Sequence, residues 1–302
     1  MKQNKAGVGS THSAVSVVSA LTTGKGATIG INIPCSVSVT LTTGKKNLHS
    51  QIQVTNGFAD PHHLIETCVN YSLKSAGRKL SDSEGVFVKI DSQIPVAQGL
   101  KSSSAISVAV VAAMMKMLGQ VMQPLEILKI SCKASIASGA SLTGAFDDAA
   151  ACLLGGMVLS DNLKFRLLEH VRISPDIGSH AAILVPAQGT KFTSSIDRNV
   201  YRKFRKESEE AFRFAASGET AQAMLLNSII QCVALSYSIR PVLSALSEGA
   251  SASGISGKGP AVSALCRSSK IANRVAQRWI EENPARKVIS AKTVQPKEIV
   301  GS

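Results

Sequence analysis

The sequence predicts an α+β fold, in which strands pair with nearby strands and helices pack to one side. The first third of the chain alternates in the manner of β-strands and is rich in Val, Ile and Thr. The middle third carries apolar residues at helical spacing, and the last third mixes charged helices with short apolar strands. With 302 residues, 44% of them hydrophobic, the chain is long enough for two domains.

The N-terminal third is predicted to hold four strands, which glycine turns and Pro34 separate. These strands cover residues 12–20, 27–33, 35–41 and 48–54. A helix that Pro61 opens and Gly77 closes follows them. The strictly alternating segment 85–91 is predicted to be the next strand.

Helices are predicted to dominate the middle of the chain, and we place a domain boundary near residue 160. One helix covers 102–118, and a second begins with Pro124 in its first turn and ends before Gly139. A short helix and a strand follow, which completes a first domain of residues 1–160. The second domain, 161–302, is predicted to hold strands at 181–185, 261–266 and 287–294, and helices at 200–217, 219–234, 240–247 and around Val275.

The composition predicts a cytoplasmic protein without a membrane segment. The longest apolar run, residues 105–115, has the length of a buried core helix. The first nine residues contain no apolar segment of the secretory kind. The six cysteines include no C-x-x-C pair, which favours core thiols in a reducing compartment over a metal or redox site.

The net charge of +13 admits two interpretations. Binding of nucleic acid is one of them, but only 4% of the residues are aromatic, and single-strand binding relies on stacking rings. We favour a basic surface that attracts anionic small molecules and expect no nucleic-acid partner.

The most informative segment is a glycine- and serine-rich loop that runs from Pro95 to Ala105, directly before an apolar helix. The first amides of a helix lack internal partners and lie at the positive end of its dipole, so they favour a phosphate. Three successive serines exceed what capping requires, and their spare hydroxyls suit a phosphate oxygen and a divalent cation. No Walker A pattern occurs in the chain.

Several motifs resemble those of the GHMP kinase superfamily, which includes galactokinase, homoserine kinase and mevalonate kinase. Pro95-x-x-x-Gly-Leu-x-Ser-Ser is similar to its nucleotide-phosphate motif. Segment 139–156 resembles its second active-site segment, and 253–260 its glycine-rich third motif. Residues 14–30 resemble the opening of the archaeal-type shikimate kinase branch, and the stretches at 99–105, 143–149 and 256–261 are also similar to that branch.

This resemblance implies a fold and an activity. The N-terminal domain would contain a left-handed β-α-β crossover, the C-terminal domain would be ferredoxin-like, and the active site would lie in the cleft between them. The enzyme would use ATP and Mg²⁺ to phosphorylate the 3-hydroxyl of shikimate, as a monomer or homodimer. The alternatives are another small-molecule kinase of this superfamily, such as a homoserine kinase, and a non-catalytic basic protein that binds nucleic acid.

The resemblance also assigns candidate site residues. Asp148, aligned on the downstream glycine pair, would be the catalytic base, with Asp147 beside it near the metal. Lys25 is a candidate to neutralise a phosphate or to orient Asp148, and a turn lysine in solvent is the alternative. The candidates for nucleotide binding are Pro95, Gly99, Leu100, Lys101, Ser102, Ser103, Ser104, Ala105, Gly257, Lys258 and Gly259.

The metal site departs from the superfamily pattern, and the residue that binds the substrate carboxylate stays open. Segment 131–142 holds no acid, whereas mevalonate kinase-like members place a metal-binding Glu there. The metal would then be bound by Ser103 or Ser104, an Asp and waters; counting from Gly99 favours Ser103, and counting back from Ala105 favours Ser104. A substrate carboxylate favours a guanidinium, for which the unranked candidates are Arg198, Arg202, Arg205 and Arg240.

Overall fold

The computed structural model describes residues 5–43, 51–54, 63–186, 198–282 and 287–296. Its first sheet has six strands in the order β3-β4-β2-β5-β6, and β1 pairs with β2. The strands are β1 (Ala6–Val18), β2 (Lys25–Thr43), β3 (Gln51–Val54), β4 (Glu84–Ser92), β5 (Met157–Asp161) and β6 (Arg166–Val171). The 19-residue β2 organises this sheet, because its two halves pair with β5 and with β4.

The break predicted at Pro34 is absent, since β2 runs through it as one strand. Proline has no N–H to donate to a ladder, and β1 shifts register opposite this position, between His12 and Ser13. The Pro34 carbonyl accepts a hydrogen bond from the Gln93 amide at 3.0 Å. A bulge therefore absorbs the proline without ending the strand.

Four helices pack with the first sheet: α1 (Leu64–Ser75), α2 (Ser102–Met117), α3 (Pro124–Ala137) and α4 (Phe146–Leu154). Helix α2 is apolar on all sides and buried over most of its length, as expected of a central helix. The predicted start of the first helix at Pro61 lies outside the described residues. Strands β3 and β4 pair in parallel with α1 between them, which forms a β-α-β unit.

The second sheet contains four antiparallel strands in the order β10-β7-β9-β8. They are β7 (His180–Val185), β8 (Ala252–Ile255), β9 (Val262–Cys266) and β10 (Lys287–Lys292). The accompanying helices are α5 (Arg198–Arg202), α6 (Arg205–Ala216), α7 (Thr220–Leu235), α8 (Arg240–Ser247) and α9 (Ser269–Glu282). This β-α-β-β-α-β order, with extra helices in the first crossover, confirms the expected ferredoxin-like arrangement.

The two sheets are tied together by the chain that follows β10. Thr293 forms a β-bridge with Ile31, and the Val294 amide donates to the Gly30 carbonyl at 2.9 Å. The Val294 carbonyl accepts from the Gly156 amide at 2.7 Å. Strand β6 also belongs to the first sheet, so this sheet continues beyond residue 160. The domain boundary near residue 160 stays a prediction.

None of the helices in the described part of the chain has the length and apolar character that crossing a membrane requires. The six cysteines are present as thiols, and five of them are buried.

Candidate active site

The phosphate loop, defined as residues 95–105, connects β4 to the start of α2. Gly99 has a φ of 84°, and a Cβ there would collide with the Ser256 carbonyl. Lys101, at the N-cap of α2, has a left-handed conformation and no side-chain cap hydrogen bond. The first amides of α2 therefore open toward the loop, where an anion would be stabilised.

The three serines of this loop differ in exposure. Ser102 is 6% exposed, Ser104 is half-buried and Ser103 is exposed. The buried Oγ of Ser102 has no hydrogen-bond partner. Because buried hydroxyls are rarely left without a partner, this atom is available to a ligand or a water molecule.

Helix α4 carries the two acids in its first turn, where the helix dipole favours negative charge. The side chain of Asp147 accepts a 2.7 Å hydrogen bond from the Asn162 amide and a 2.9 Å bond from the Thr28 hydroxyl. The Asp147 backbone amide donates to Asn162 Oδ1 at 3.0 Å. Burial, and then the charge of Asp148, raises the pKa of Asp147 to about 6.

The neighbouring Asp148 is more accessible, with 17% of its side chain exposed. Its Oδ1 lies 3.0 Å from Lys101 Nζ and 3.1 Å from Thr28 Oγ1. A partly exposed carboxylate next to a phosphate loop is placed to accept a proton from a bound hydroxyl.

The two candidate lysines, Lys101 and Lys25, occupy different environments. The Lys101 side chain is 7% exposed, and its Nζ donates to Ser16 Oγ at 2.7 Å. Lys25 is exposed, and its Nζ lies 5.7 Å from the centroid of the Phe212 ring, a cation–π geometry. The ion pair with Asp148 in this structure is made by Lys101, and the predicted role of Lys25 stays a prediction.

The third glycine turn, defined as residues 256–261, closes onto the phosphate loop. Ser256 Oγ donates to the Gly99 carbonyl at 2.7 Å, and the Ala261 amide donates to the Gln98 carbonyl at 3.1 Å. The Gly257 amide donates to Ser16 Oγ at 3.1 Å. Strand β1, the phosphate loop and this turn therefore meet at one point.

This meeting point is rich in positive charge. Burial, and then the nearby charge of Lys101, lowers the pKa of Lys258 to about 8, while the charge of Asp148 acts in the opposite direction. Two ammonium groups close together in a buried place repel each other, and a bound polyanion would relieve that repulsion. Lys101, Gly257 and Lys258, all predicted from the sequence, are thus brought together.

Sequence reasoning missed four polar residues of this site, namely Ser16, Thr28, Asn162 and Ser256. Ser16 and Thr28 are cross-strand partners on β1 and β2, and both are almost fully buried. Both lie within the stretch 14–30 that carries part of the resemblance. Serine and threonine are common in strands, so what could have singled them out is their position on the inward face of otherwise apolar strands.

The arginine candidates for a substrate carboxylate are not ranked by their contacts. Arg205 pairs with Glu209 at 3.0 Å and Arg240 with Glu282 at 3.7 Å. Arg202 donates to Asn199 at 3.3 Å, and the side chain of Arg198 lies outside the described residues.

A metal site built from protein carboxylates alone is not seen in the described part of the chain, where no group of three or more His, Cys, Asp or Glu is placed to bind an ion. Both carboxylate oxygens of Asp147 already have protein partners. A cation in this site would rely on serine hydroxyls, a carboxylate, water and the ligand's own oxygens, as Mg²⁺ often does, and the expected place of Asp147 near the metal stays a prediction.

Comparisons with known proteins give matches over most of the chain. The chain matches the family model "GHMP kinases N terminal domain" over residues 63–156 and "GHMP kinases C terminal" over residues 208–285. It is 36% identical to a shikimate kinase of Pyrococcus furiosus over 86% of this chain and 91% of that protein. It is 35% identical to a shikimate kinase of Methanosarcina acetivorans over 84% of this chain and 83% of that protein.

Solved structures share the fold at low sequence identity. A homoserine kinase from Cytophaga hutchinsonii superposes with a TM-score of 0.75 at 17% identity, over 98% of this chain and 97% of that one. A mevalonate kinase of L. major in complex with R-mevalonate superposes with a TM-score of 0.69 at 15% identity, over the same shares. The resemblance stated from the sequence motifs is confirmed, and the chain belongs to the GHMP kinase family.

Proposed function

We propose that this protein is a shikimate kinase, which transfers the γ-phosphate of ATP to the 3-hydroxyl of shikimate and releases ADP. The observation that carries the proposal is the 3.0 Å contact of Asp148 Oδ1 with Lys101 Nζ, which puts a carboxylate base directly beside a phosphate loop. The shikimate kinases that the chain resembles over most of its length support the choice of acceptor.

Binding of the triphosphate is assigned to the start of α2 and its surroundings. The open amides of this helix and the Ser102 hydroxyl, which has no protein partner, would receive phosphate oxygens. Lys101 and Lys258 would neutralise their charge, since phosphoryl transfer depends on positioning and electrostatic stabilisation. The turn at Gly257 and Gly259 would close the site from the second domain.

Magnesium fits this donor set, because Mg²⁺ prefers oxygen ligands and shares the phosphates of a nucleotide. Ser103 or Ser104, together with a carboxylate and water, would hold the ion, which would neutralise charge on the transferred group when bound. Of the two acids, Asp148 is the more accessible.

Asp148 would act as the general base. Its carboxylate would accept the proton of the 3-hydroxyl as that oxygen forms its bond to the γ-phosphorus, while the bond to the ADP oxygen breaks. Thr28 and Lys101, which both contact Oδ1, would keep the carboxylate oriented. Asp147, buried behind it, would hold Thr28 and Asn162 in place.

We also propose that the protein is cytoplasmic, a location that its six free thiols fit. It would act as a monomer or homodimer, without a nucleic-acid partner.

The test is release of ADP in the presence of Mg²⁺ and ATP, measured separately with shikimate, homoserine and mevalonate as acceptors. Of the three acceptors, we expect only shikimate to be phosphorylated, and NMR of the product should show the phosphate on the 3-oxygen. Turnover with homoserine or mevalonate but not with shikimate would show that the proposed acceptor is wrong. No acceptor-dependent ADP release would contradict the assignment as a kinase of these acceptors.

A further inference from the structure

Lys101 has a backbone conformation that is unusual for its residue type. Its φ is 63°, in the left-handed region that a Cβ disfavours and that glycine adopts freely. The chain places glycine two residues earlier, at Gly99, where φ is 84°. Strain of this kind persists where the surrounding structure enforces it, and it is concentrated at functional sites.

The side chain shows what this conformation achieves. The ammonium of Lys101 is almost fully buried, although lysine is rarely buried unless it is paired. It lies 3.0 Å from Asp148 Oδ1 and 2.7 Å from Ser16 Oγ. Ser16 is itself fixed, because its Oγ also accepts from the Gly257 amide and its own amide donates to Ser256 Oγ.

We propose that Lys101, anchored by Ser16, is the positioning residue for Asp148, and that its strained backbone is retained because only that conformation brings its ammonium onto the base. This inference rests on the proposed function. It gives to Lys101 the orienting role that the sequence left open for Lys25, whose ammonium lies over Phe212.

The placement has a consequence for the reaction. Lys101 is the N-cap residue of α2, whose first amides would hold the phosphates. Its ammonium therefore lies between the nucleotide site and the base. A positive charge at this point holds the carboxylate in one orientation, aimed at the acceptor hydroxyl. It also draws the γ-phosphoryl group toward the same position.

Three substitutions separate the charge from the strain. Lys101→Met and Lys101→Ala remove the ammonium and keep the Cβ, whereas Lys101→Gly removes both, and Lys101→Ala matches Lys101→Gly in lacking the buried aliphatic stem. We expect kcat with shikimate to fall about 100-fold in each, the scale for loss of a preorganised charged group. The glycine variant should have a higher Tm than the alanine variant, because both lack the side-chain stem and glycine alone relieves the backbone strain.

A double-mutant cycle tests whether Lys101 acts through Asp148. In an Asp148→Asn background, Lys101→Met should lower kcat by much less than it does in the wild type, because the partner that it positions is already neutral and only its attraction of the phosphate is left to lose. Ser16→Ala should lower kcat in the same direction as Lys101→Met with little change in KM for shikimate. Lys116→Met, at the exposed far end of α2, is the matched control and should keep wild-type kcat.

Four results would overturn the inference. They are near wild-type kcat in Lys101→Met, a full further loss in the Asp148→Asn background, a loss in Lys25→Met that Lys101→Met lacks, and a Tm of Lys101→Gly at or below that of Lys101→Ala. Absence of shikimate turnover in the wild type would instead reject the proposed function. The Tm comparison would still test the strain, because it needs no substrate.

Discussion

At the scale of single residues, the Thr28 hydroxyl lies between two carboxylates, 2.9 Å from Asp147 Oδ2 and 3.1 Å from Asp148 Oδ1. A hydroxyl has one proton and donates to one acceptor at a time. When Asp147 is protonated, it can donate to Thr28, and Thr28 can then donate to Asp148. The protonation of Asp147 therefore sets the direction of the hydrogen bond between Thr28 and Asp148.

This arrangement predicts how stability depends on pH in the protein free of metal and nucleotide. The pKa of Asp147 is raised from 3.8 to about 6 in the folded state, so the folded chain binds more protons than the unfolded chain between those values. The free energy of unfolding should therefore fall as pH rises from about 4 to above 6. Urea unfolding monitored by circular dichroism across this range measures it.

The matched variant for this prediction is Asp147→Asn, whose amide resembles the protonated acid. It can accept from Asn162 and donate to Thr28, so its unfolding free energy should vary less with pH over the same range. An equal pH dependence in the variant and the wild type would show that another group causes the effect.

Asp148→Asn tests the base directly. We expect kcat with shikimate to fall by about 10²- to 10⁴-fold, the usual contribution of general acid–base catalysis, while affinity for ADP changes little. Steady-state kinetics and calorimetric titration measure the two quantities. Asp176→Asn, on an exposed turn, is the control and should behave as wild type, and unchanged turnover in Asp148→Asn would reject this residue as the base.

Residues in sequence motifs were predictable at this scale, whereas their supports were not. Asp148, Lys101 and Lys258 lie in glycine-rich or acidic motifs that stand out from their surroundings. Ser16 and Thr28 lie in strands where such residues are common, and their importance depends on facing the site, which follows from register and not from residue type.

At the scale of elements, the contact between the phosphate loop and the third glycine turn leaves no room for a side chain at Gly99. Its φ of 84° is strained for other residues, and a Cβ would also collide with the Ser256 carbonyl. Gly77 has a φ of 62°, but a Cβ added there would have no neighbouring atom within 4 Å. Alanine substitutions at the two glycines therefore distinguish the cost of backbone strain alone from the cost of strain together with a steric collision.

We expect Gly77→Ala to lower the free energy of unfolding by about 1 kcal/mol. Gly99→Ala should lower it by more, roughly 3 kcal/mol or above, since overpacking adds to the strain. It should also raise KM for ATP. Denaturant unfolding and steady-state kinetics measure these effects, and equal stability losses in the two variants would show that the loop moves away from Ser256 freely.

Elements with a strong periodic pattern were predicted well, and those shaped by neighbours were not. Helix α3 and strand β4 follow their apolar spacing closely, and α2 follows an unbroken apolar run. Strand β2 continues through Pro34 because a bulge in its pairing with β1 absorbs the missing donor. Strand β6 alternates weakly and was missed, because its pairing with β5 decides its conformation.

At the scale of the whole molecule, the two sheets share backbone hydrogen bonds, and Trp279 offers a probe of their coupling. It is the only tryptophan in the chain, is fully buried, and donates from Nε1 to the Pro241 carbonyl at 2.9 Å. Its fluorescence therefore reports the core of the second sheet, whereas far-UV circular dichroism reports the whole chain.

We expect the two signals to follow one cooperative unfolding transition, because Val294 and the third glycine turn bond to the first domain. Parallel urea titrations check this. A chain truncated after Lys292 should unfold at lower urea, since the Gly30 carbonyl and the Gly156 amide lose their partners. Two separated transitions in the full chain would show that the sheets unfold independently.

The two-domain architecture followed from the motifs and their order, but the joining of the domains did not. The bond between Ser16 and Ser256 spans 240 residues, and no local pattern in either segment indicates the other. Contacts this distant in sequence depend on the packing of the complete chain.

The closure of the phosphate loop by Ser256 also bears on the order of synthesis. A ribosome makes the loop, both acids and Lys101 before it makes the residue that holds Gly99 in place. A nascent chain that ends before Ser256 therefore possesses the charged groups without their final geometry. The phosphate loop reaches its final geometry only after Ser256 has emerged, so shorter chains carry Lys101 and the two acids around an unclosed loop.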